Sequence, residues 1–93
     1  MFNAVLKDAQ VLLSGRFDGS QSEKAYSVFN QVITTTEVDF KDLDYISSIG
    51  LSVLLVTQKR LSQTGHKLKL KNMNNHIREV FGYAGFDMIF EIE

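Results

Sequence analysis

Apolar residues at alternate positions open the chain, a pattern typical of strands with one buried face. Phe2, Ala4 and Leu6 alternate with polar or smaller neighbours, and Val11 and Leu13 resume the alternation after a polar break. Two short strands so close together are joined by a tight turn. A β-hairpin is therefore predicted at the amino terminus.

Helical periodicity follows the hairpin. Ser20 and Glu23 have the spacing of a capping box and precede apolar residues that recur at helical intervals. A second apolar run begins at the pair Ser47-Ser48 and stops before Gly65, which favours a left-handed helix end. Its first two turns are apolar nearly all round, so they should be the most buried helical turns. The predicted helices cover about residues 22–33, residues 47–64 and a last segment from a cap at Asn74 or Asn75 to Gly85.

Strands alternate with these helices. Residues 34–40 are rich in β-branched side chains and predict a third strand, which a short acidic connection over residues 41–44 follows. Leu68 and Leu70 alternate with lysines and mark a fourth strand, and residues 86–92 predict the last one. The order β-β-α-β-α-β-α-β contains three strand-helix-strand units. It predicts an α/β domain with a mostly parallel sheet and with helices mainly on one face.

The predicted topology also indicates where a site should lie. The carboxyl ends of parallel strands lie together, and open α/β sheets usually place their sites at that end. The loops expected there cover residues 15–20, 41–48 and 72–75. Asp18 and the pair Ser47-Ser48 should therefore face the same end of the molecule.

Length, charge and cysteine content limit the possible functions. The 93 residues suffice for one domain, which is expected to span residues 1–93. There are 10 lysines and arginines against 11 aspartates and glutamates, a formal net charge of -1, which argues against a nucleic acid partner. Cysteine is absent, and no apolar run has the length of a membrane span or secretion signal. A cytoplasmic protein without membrane insertion is expected.

No motif indicates catalysis, a metal or a cofactor. Glycine-rich phosphate loops are missing, and His66 and His76 lie at opposite ends of a strand without other ligands that the sequence suggests. Ser48 has no neighbouring base and lacks the flanking glycines of a hydrolase nucleophile. The chain is therefore predicted not to be an enzyme. The alternative is a small enzyme or ligand-binding domain that uses Asp18, Asp39 and Ser48.

The serine pair supports two compatible roles. A serine at a helix start accepts a hydrogen bond from an unpaired backbone N–H, a cap worth about 1 kcal/mol. The same helix end has free N–H groups and the positive end of the helix dipole, which also stabilise a phosphate placed on that serine. The pair Ser47-Ser48 could therefore cap the helix, be phosphorylated, or do both.

Taken together, these motifs resemble the STAS domain family, and within it the stand-alone anti-sigma factor antagonists of bacteria. The sharpest match is residues 39–51, which are similar to the family's strand and the "S-S-x-G-L" signature that opens a helix. Residues 15–18 are similar to the family's "G-x-L-D" after the second strand, and residues 77–86 to its last helix and strand. The resemblance covers essentially the whole chain.

The resemblance implies that Ser48 is a phosphoacceptor, because the family's modified serine lies two residues before the glycine, here Gly50. Ser47 is the alternative acceptor. The implied function is partner switching in transcription regulation. The unphosphorylated protein binds an anti-sigma factor that is also a serine kinase, phosphorylation ends the binding, and a serine phosphatase restores it. The residues expected to bind the partner are Asp18, Asp42, Asp44, Tyr45, Ser47, Ser48, Ile49, Gly50 and Leu51.

Two further expectations follow from the same resemblance. The protein is expected to be a monomer or a weak dimer. The alternative function within the family is a STAS subunit of a transport or signalling complex, which docks on its partner without being phosphorylated.

Overall fold

A computed structural model describes all residues from Met1 to Glu93. It contains five strands and three α-helices in the order β-β-α-β-α-β-α-β, with a short 3-10 turn before the first helix and another before the last strand. The strands are β1 (Asn3–Lys7), β2 (Gln10–Phe17), β3 (Thr36–Ile46), β4 (Leu68–Lys71) and β5 (Glu91–Ile92). The helices are α1 (Ser22–Phe29), α2 (Ser48–Ser62) and α3 (Asn75–Tyr83).

All five strands form one sheet in the order β1-β2-β3-β4-β5. β1 and β2 pair antiparallel, and every other neighbouring pair is parallel. The hairpin turns through Asp8 and Ala9, whose φ angles of 52° and 62° are those of a type I′ turn. The predicted α/β class, the hairpin and the mostly parallel sheet are confirmed.

The helices cover one face of this sheet. Along β3, Thr36, Val38 and Phe40 are buried and the residues between them are not, because only the face under the helices is shielded from water. β4 alternates in the same way, with both leucines buried under the helices and both lysines on the open face. The core contains 22 buried apolar residues. None of the three helices has the length and apolar content that crossing a bilayer requires.

The first helix begins at Ser22 as predicted, but its cap and its end differ from the prediction. Ser20 lies in the 3-10 turn Gly19–Gln21, and no side chain caps α1 at Gln21. The predicted capping box is therefore wrong, because Asp18 and not Ser20 caps this turn. α1 also ends at Phe29, four residues early, where the Arg60 guanidinium from α2 donates hydrogen bonds to carbonyl oxygens at the helix end.

The third strand is longer than expected. β3 begins at Thr36 and continues through the acidic residues 41–44, which were predicted to be a connection. It can do so because Phe40, Leu43 and Ile46 still point into the core while two register shifts against β2 absorb the extra polar residues. The connection before α2 is therefore reduced to Ser47.

One smaller prediction is also corrected. Residues 86–92 do not form one strand: Phe86–Met88 is a 3-10 turn, and β5 contains only two residues. The first turns of α2 are the most buried helical turns, as predicted, with Gly50, Leu51, Val53 and Leu54 all buried, although Val56 is 51% exposed on the side that faces away from the sheet. Of the two predicted caps of α3, Asn74 and Asn75, the structure shows Asn74, whose side chain accepts a hydrogen bond from the Ile77 N–H at 2.8 Å.

Replacing Arg60 with alanine should destabilise the fold. Its guanidinium donates to the carbonyl oxygens of Val32 at 2.7 Å and Phe29 at 2.8 Å, both partly buried. Leaving these acceptors unpaired should lower the free energy of unfolding by about 1–3 kcal/mol in urea titrations. Lys59→Ala, on the exposed neighbouring residue, is the control and should change it by less than about 0.5 kcal/mol. Equal losses in the two variants would contradict this role for Arg60.

Candidate functional site

The end of β2 and the start of α2 are in direct contact. The Ser47 N–H donates to the Phe17 carbonyl oxygen at 2.9 Å. Gly50 packs so closely here that a Cβ atom on it would lie 2.8 Å from Ile46 Cγ1 and 3.1 Å from Phe17 Cγ. The Phe17 ring in turn stacks on Phe2, with the ring centroids 4.5 Å apart. These contacts fix the position of the helix start relative to the sheet.

The two serines at this helix start have different surroundings. Ser47 is the N-cap of α2: its hydroxyl accepts the Gly50 N–H at 3.2 Å, and the residue is half-buried. Ser48 is the first residue of the helix and is exposed. Its backbone carbonyl accepts a hydrogen bond from the Ser52 hydroxyl at 3.0 Å, whereas its own hydroxyl has no part in the cap. Ser47 therefore supports the helix, and Ser48 presents its side chain to solvent.

Asp18 lies beside this helix start, at the same end of the sheet, as the topology predicted. Its carboxylate accepts hydrogen bonds from the Ser20 hydroxyl at 2.6 Å and the Ser20 N–H at 3.1 Å. The hydrogen bond from the hydroxyl is the main reason why the pKa of Asp18 lies below its ordinary value. The next residue, Gly19, packs on Ile49 of α2, since a Cβ on Gly19 would lie 2.9 Å from Ile49 Cδ1. Asp18 thus adds a carboxylate that stays ionised next to the serine pair.

The acidic residues of β3 are less closely gathered than expected. Asp42 pairs in register with Ser14 and therefore lies within the sheet and not in a loop beside Ser48. Asp44 is exposed at a register shift close to the strand end. Tyr45 is half-buried on the open face of the sheet, where the Arg16 guanidinium carbon lies 4.3 Å from its ring centroid. Of these three residues, only Asp44 adds an exposed charge near the end of β3.

Asp39, considered for an enzyme site with Asp18 and Ser48, is not brought to them. It pairs with Leu12 in the sheet, seven residues or roughly 23 Å before the end of β3 at Ile46. Burial raises the pKa of its carboxyl, but hydrogen bonds from the Asn72 side chain at 3.0 Å and the Lys41 N–H at 2.9 Å outweigh this and leave it lowered. The structure separates the members of that alternative site.

α2 carries an exposed row of residues that extends the site away from the sheet. Ile49 is 48% exposed and Val56 is 51% exposed, and they lie seven residues apart on one side of the helix. Gly50 and Leu51, two of the residues predicted to bind a partner, are buried at the start of the helix. We call the exposed row the outer stripe of α2; it consists of Ser48, Ile49, Ser52, Val56 and Lys59.

Sequence analysis missed several residues of this site. Ser52 and Val56 were treated as part of a uniformly apolar helix, although their three- and seven-residue spacing from Ile49 would have placed them on one face. Phe17 and Gly19 were missed because neither acts through a polar side chain. Phe17 accepts a hydrogen bond with its backbone carbonyl oxygen, and Gly19 packs on Ile49 because it has no side chain. No sequence pattern indicates such contacts.

This arrangement defines a small α/β protein whose candidate site is an exposed helix start and not an enclosed pocket. A family model with the description "Mlab, STAS domain" matches residues 1–91 of the chain. The protein belongs to this STAS domain family. The resemblance seen in the motifs of residues 15–18 and 39–51 is therefore confirmed at the level of the family.

Several curated proteins are similar in sequence. BtrV of Bordetella bronchiseptica, which carries the name of an anti-sigma factor antagonist, is 46% identical over 55 residues. That match covers 59% of this chain and 47% of BtrV, so it extends over only about half of the relative. The anti-sigma-B factor antagonist of Bacillus subtilis is 29% identical over 89 residues, covering 91% of this chain and 81% of that protein.

Solved structures share the fold. An anti-sigma factor antagonist from Mycobacterium paratuberculosis superposes with a TM-score of 0.79 at 16% identity, over 99% of this chain and 83% of that one. The anti-sigma factor antagonist SpoIIAA in its unphosphorylated form gives a TM-score of 0.70 at 21% identity, over 89% and 83% of the two chains. The predicted fold is thus shared with known antagonists.

Replacing Gly50 with alanine should disturb the contact between β2 and α2. The added methyl group would press on Ile46 and on the ring and carbonyl of Phe17, and we expect a loss of about 1–3 kcal/mol in unfolding free energy. The matched control is Gly82→Ala on α3, where a Cβ meets no atom within 4 Å. That change should be neutral or stabilise by up to about 1 kcal/mol. If both variants unfold at the same denaturant concentration, the close packing of Gly50 has no energetic importance.

Proposed function

We propose that this protein is a cytoplasmic anti-sigma factor antagonist that binds an anti-sigma factor with serine kinase activity and is released when Ser48 is phosphorylated. The observation that carries the proposal is that the two serines have different structural roles. Ser47 supplies the cap, so the exposed Ser48 hydroxyl can be modified without loss of the hydrogen bond that holds the helix start. The names of the relatives from Bordetella bronchiseptica and Bacillus subtilis support the same role.

The outer stripe of α2 supports protein binding at this site. It places two large apolar side chains, Ile49 and Val56, between hydroxyl groups on a rigid helix. Protein interfaces commonly combine an apolar centre with a polar rim that satisfies hydrogen bonds. A kinase that docks on this stripe would bring its own active site to Ser48 at the stripe's end.

The charges around Ser48 support release by phosphorylation. A phosphoserine adds roughly 1.5 to 2 negative charges at neutral pH, next to the ionised Asp18 and close to the exposed Asp44. For a negatively charged group of the partner at about 6 Å, each new unit charge costs on the order of 1.4 kcal/mol of binding free energy at an effective dielectric near 40. That cost is roughly a tenfold loss of affinity. The same phosphate lies at the N-terminus of α2, which favours negative charge, so the helix should stay folded.

Phosphorylation should depend on Ser48 and not on Ser47. Incubation with ATP and a kinase-type anti-sigma factor from the same genome should raise the intact mass by about 80 Da, the mass of one phosphoryl group. We expect Ser48→Ala to abolish this increase. Ser47→Ala should still be modified, although losing the cap should lower its unfolding free energy by about 1 kcal/mol. Phosphate uptake by Ser48→Ala at the parent's rate would reject Ser48 as the acceptor.

Charge at position 48 should weaken binding to the anti-sigma factor. In calorimetric titrations, Ser48→Ala should bind about as well as the parent, whereas Ser48→Asp should bind at least roughly tenfold more weakly through one added charge. Val56→Lys should also weaken binding because it places a charge in the apolar part of the outer stripe. His76→Lys, on the exposed side of α3, is the control that should leave affinity unchanged.

These two measurements separate the proposed switch from the alternative within the family. A STAS subunit of a transport or signalling complex would bind its partner through the same helix but take up no phosphate. If Ser48→Asp bound as tightly as Ser48→Ala, charge at this position would not control binding, whatever the modification state.

A further inference from the structure

The two outer strands of the sheet are protected to different degrees. At one side, β5 has only two residues, and Glu91 is salt-bridged to Lys67 at 2.6 Å. At the other side, β1 has five residues, and the strand carries a charge only at its last position, Lys7. Short, charged outer strands resist pairing with other chains, whereas longer uncharged ones favour it. β1 is therefore the side of the sheet that can accept another strand.

The register of the hairpin shows which backbone groups of β1 are free. Lys7 pairs with Gln10 across the two-residue turn, so this pair exchanges the hydrogen bonds that close the hairpin. Every second residue back along β1, Val5 and then Asn3, bonds to β2 in the same way. The N–H and C=O groups of Ala4 and Leu6 must then point away from the sheet.

An apolar pair lies beside these free groups on the open face. Val5 is 44% exposed and Leu12, its partner in register on β2, is 41% exposed. Neither side chain belongs to the core under the helices. The next residue in the same row is Asp39 on β3, so the apolar surface is confined to the side of the sheet that β1 borders.

We propose that β1 pairs antiparallel with β1 of a second copy of this chain, about a two-fold axis at Val5. This register opposes Ala4 to Leu6 of the partner subunit, and Leu6 to Ala4 of the partner subunit. Each of these two pairs can exchange two hydrogen bonds, which uses the free groups of both strands. The result is a continuous sheet of ten strands, with Val5 and Leu12 of both copies in one apolar row across the two-fold axis.

The charges near β1 match in this register. Asp8, the first turn residue after β1, follows Lys7 toward Phe2 of the partner subunit, and in each chain the Phe2 carbonyl oxygen accepts a hydrogen bond from the Lys24 ammonium group at 2.9 Å. The pairing therefore brings an acidic residue of one copy to the end of the strand where the other copy has a basic residue. Lys7 is opposed to Asn3 of the partner subunit, so no like charges face each other across the strands. This complementarity favours a second copy of the chain over an unrelated strand.

This surface is independent of the proposed antagonist function. The outer stripe of α2 contains none of the residues that the pairing uses, and β1 can pair whether or not Ser48 is modified. A dimer would present two copies of the candidate functional site.

Cysteine cross-linking tests the pairing directly, because the chain has no cysteine of its own. Val5→Cys places two thiols opposite each other at a non-hydrogen-bonded pair, where Cα atoms lie about 4.5 Å apart and a disulfide fits. Leu12→Cys is the matched control on the same face with similar exposure. Its two copies would be three strand spacings apart, about 14 Å, which is too far for a disulfide. Mild oxidation should convert Val5→Cys to a dimer at least tenfold faster than Leu12→Cys.

A second measurement uses the protein without added cysteines. Sedimentation equilibrium should show a monomer-dimer equilibrium that Val5→Lys abolishes by placing like charges at the two-fold axis. Met88→Lys, on an 88% exposed residue beside β5 at the other side of the sheet, should leave it unchanged. Equal cross-linking rates for both cysteine variants, or a parent that stays monomeric up to about 1 mM, would overturn the proposal and leave β1 to a strand of another protein.

Discussion

The close packing of α2 against the end of β2 is the constraint on which the candidate site depends. Phe17 takes part through both its ring and its backbone: the ring lies under Gly50, and the carbonyl oxygen accepts the Ser47 N–H. Only a residue without a side chain allows the helix to begin so near the sheet. Because the position of the helix start is fixed, the side chains of Leu51, Val53 and Leu54, which follow Gly50, point into the core. The opposite side of the same helix is thereby left exposed as the outer stripe.

The two adjacent serines have different surroundings because they occupy different positions at the start of the helix. The residue before the first helical turn has an extended backbone, which aims its side chain at the unpaired N–H groups. The next residue is already helical, and its side chain leaves the axis toward solvent. The local geometry of the helix end thus gives the Ser47 hydroxyl a structural role and leaves the Ser48 hydroxyl accessible. Contacts with distant parts of the chain are not needed for this difference.

Much of the fold was accessible from the sequence because it rests on short-range patterns. Alternation predicted the hairpin, and Asn74 capped the third helix as expected. The errors arose where tertiary contacts overrode local signals. β3 continues through acidic residues because Leu43 and Ile46 are still buried, and α1 ends early at carbonyls that Arg60 binds from another helix. For the site, the helix start and its proximity to Asp18 were predicted. The role of Phe17 was not, since a backbone acceptor can belong to any residue type.

The stack of Phe2, Phe17 and Gly50 has a consequence for protein synthesis. The three residues come from β1, β2 and α2, and their contacts close long loops that form late relative to local helices and turns. A chain that has emerged from the ribosome only as far as β3 has none of α2 to present. In a longer chain, α2 is held in position by the contacts of Ser47 and Gly50 with Phe17, which require β2 to be in place. The exposed helix start is therefore a property of a chain in which β1, β2 and α2 are all present and packed together.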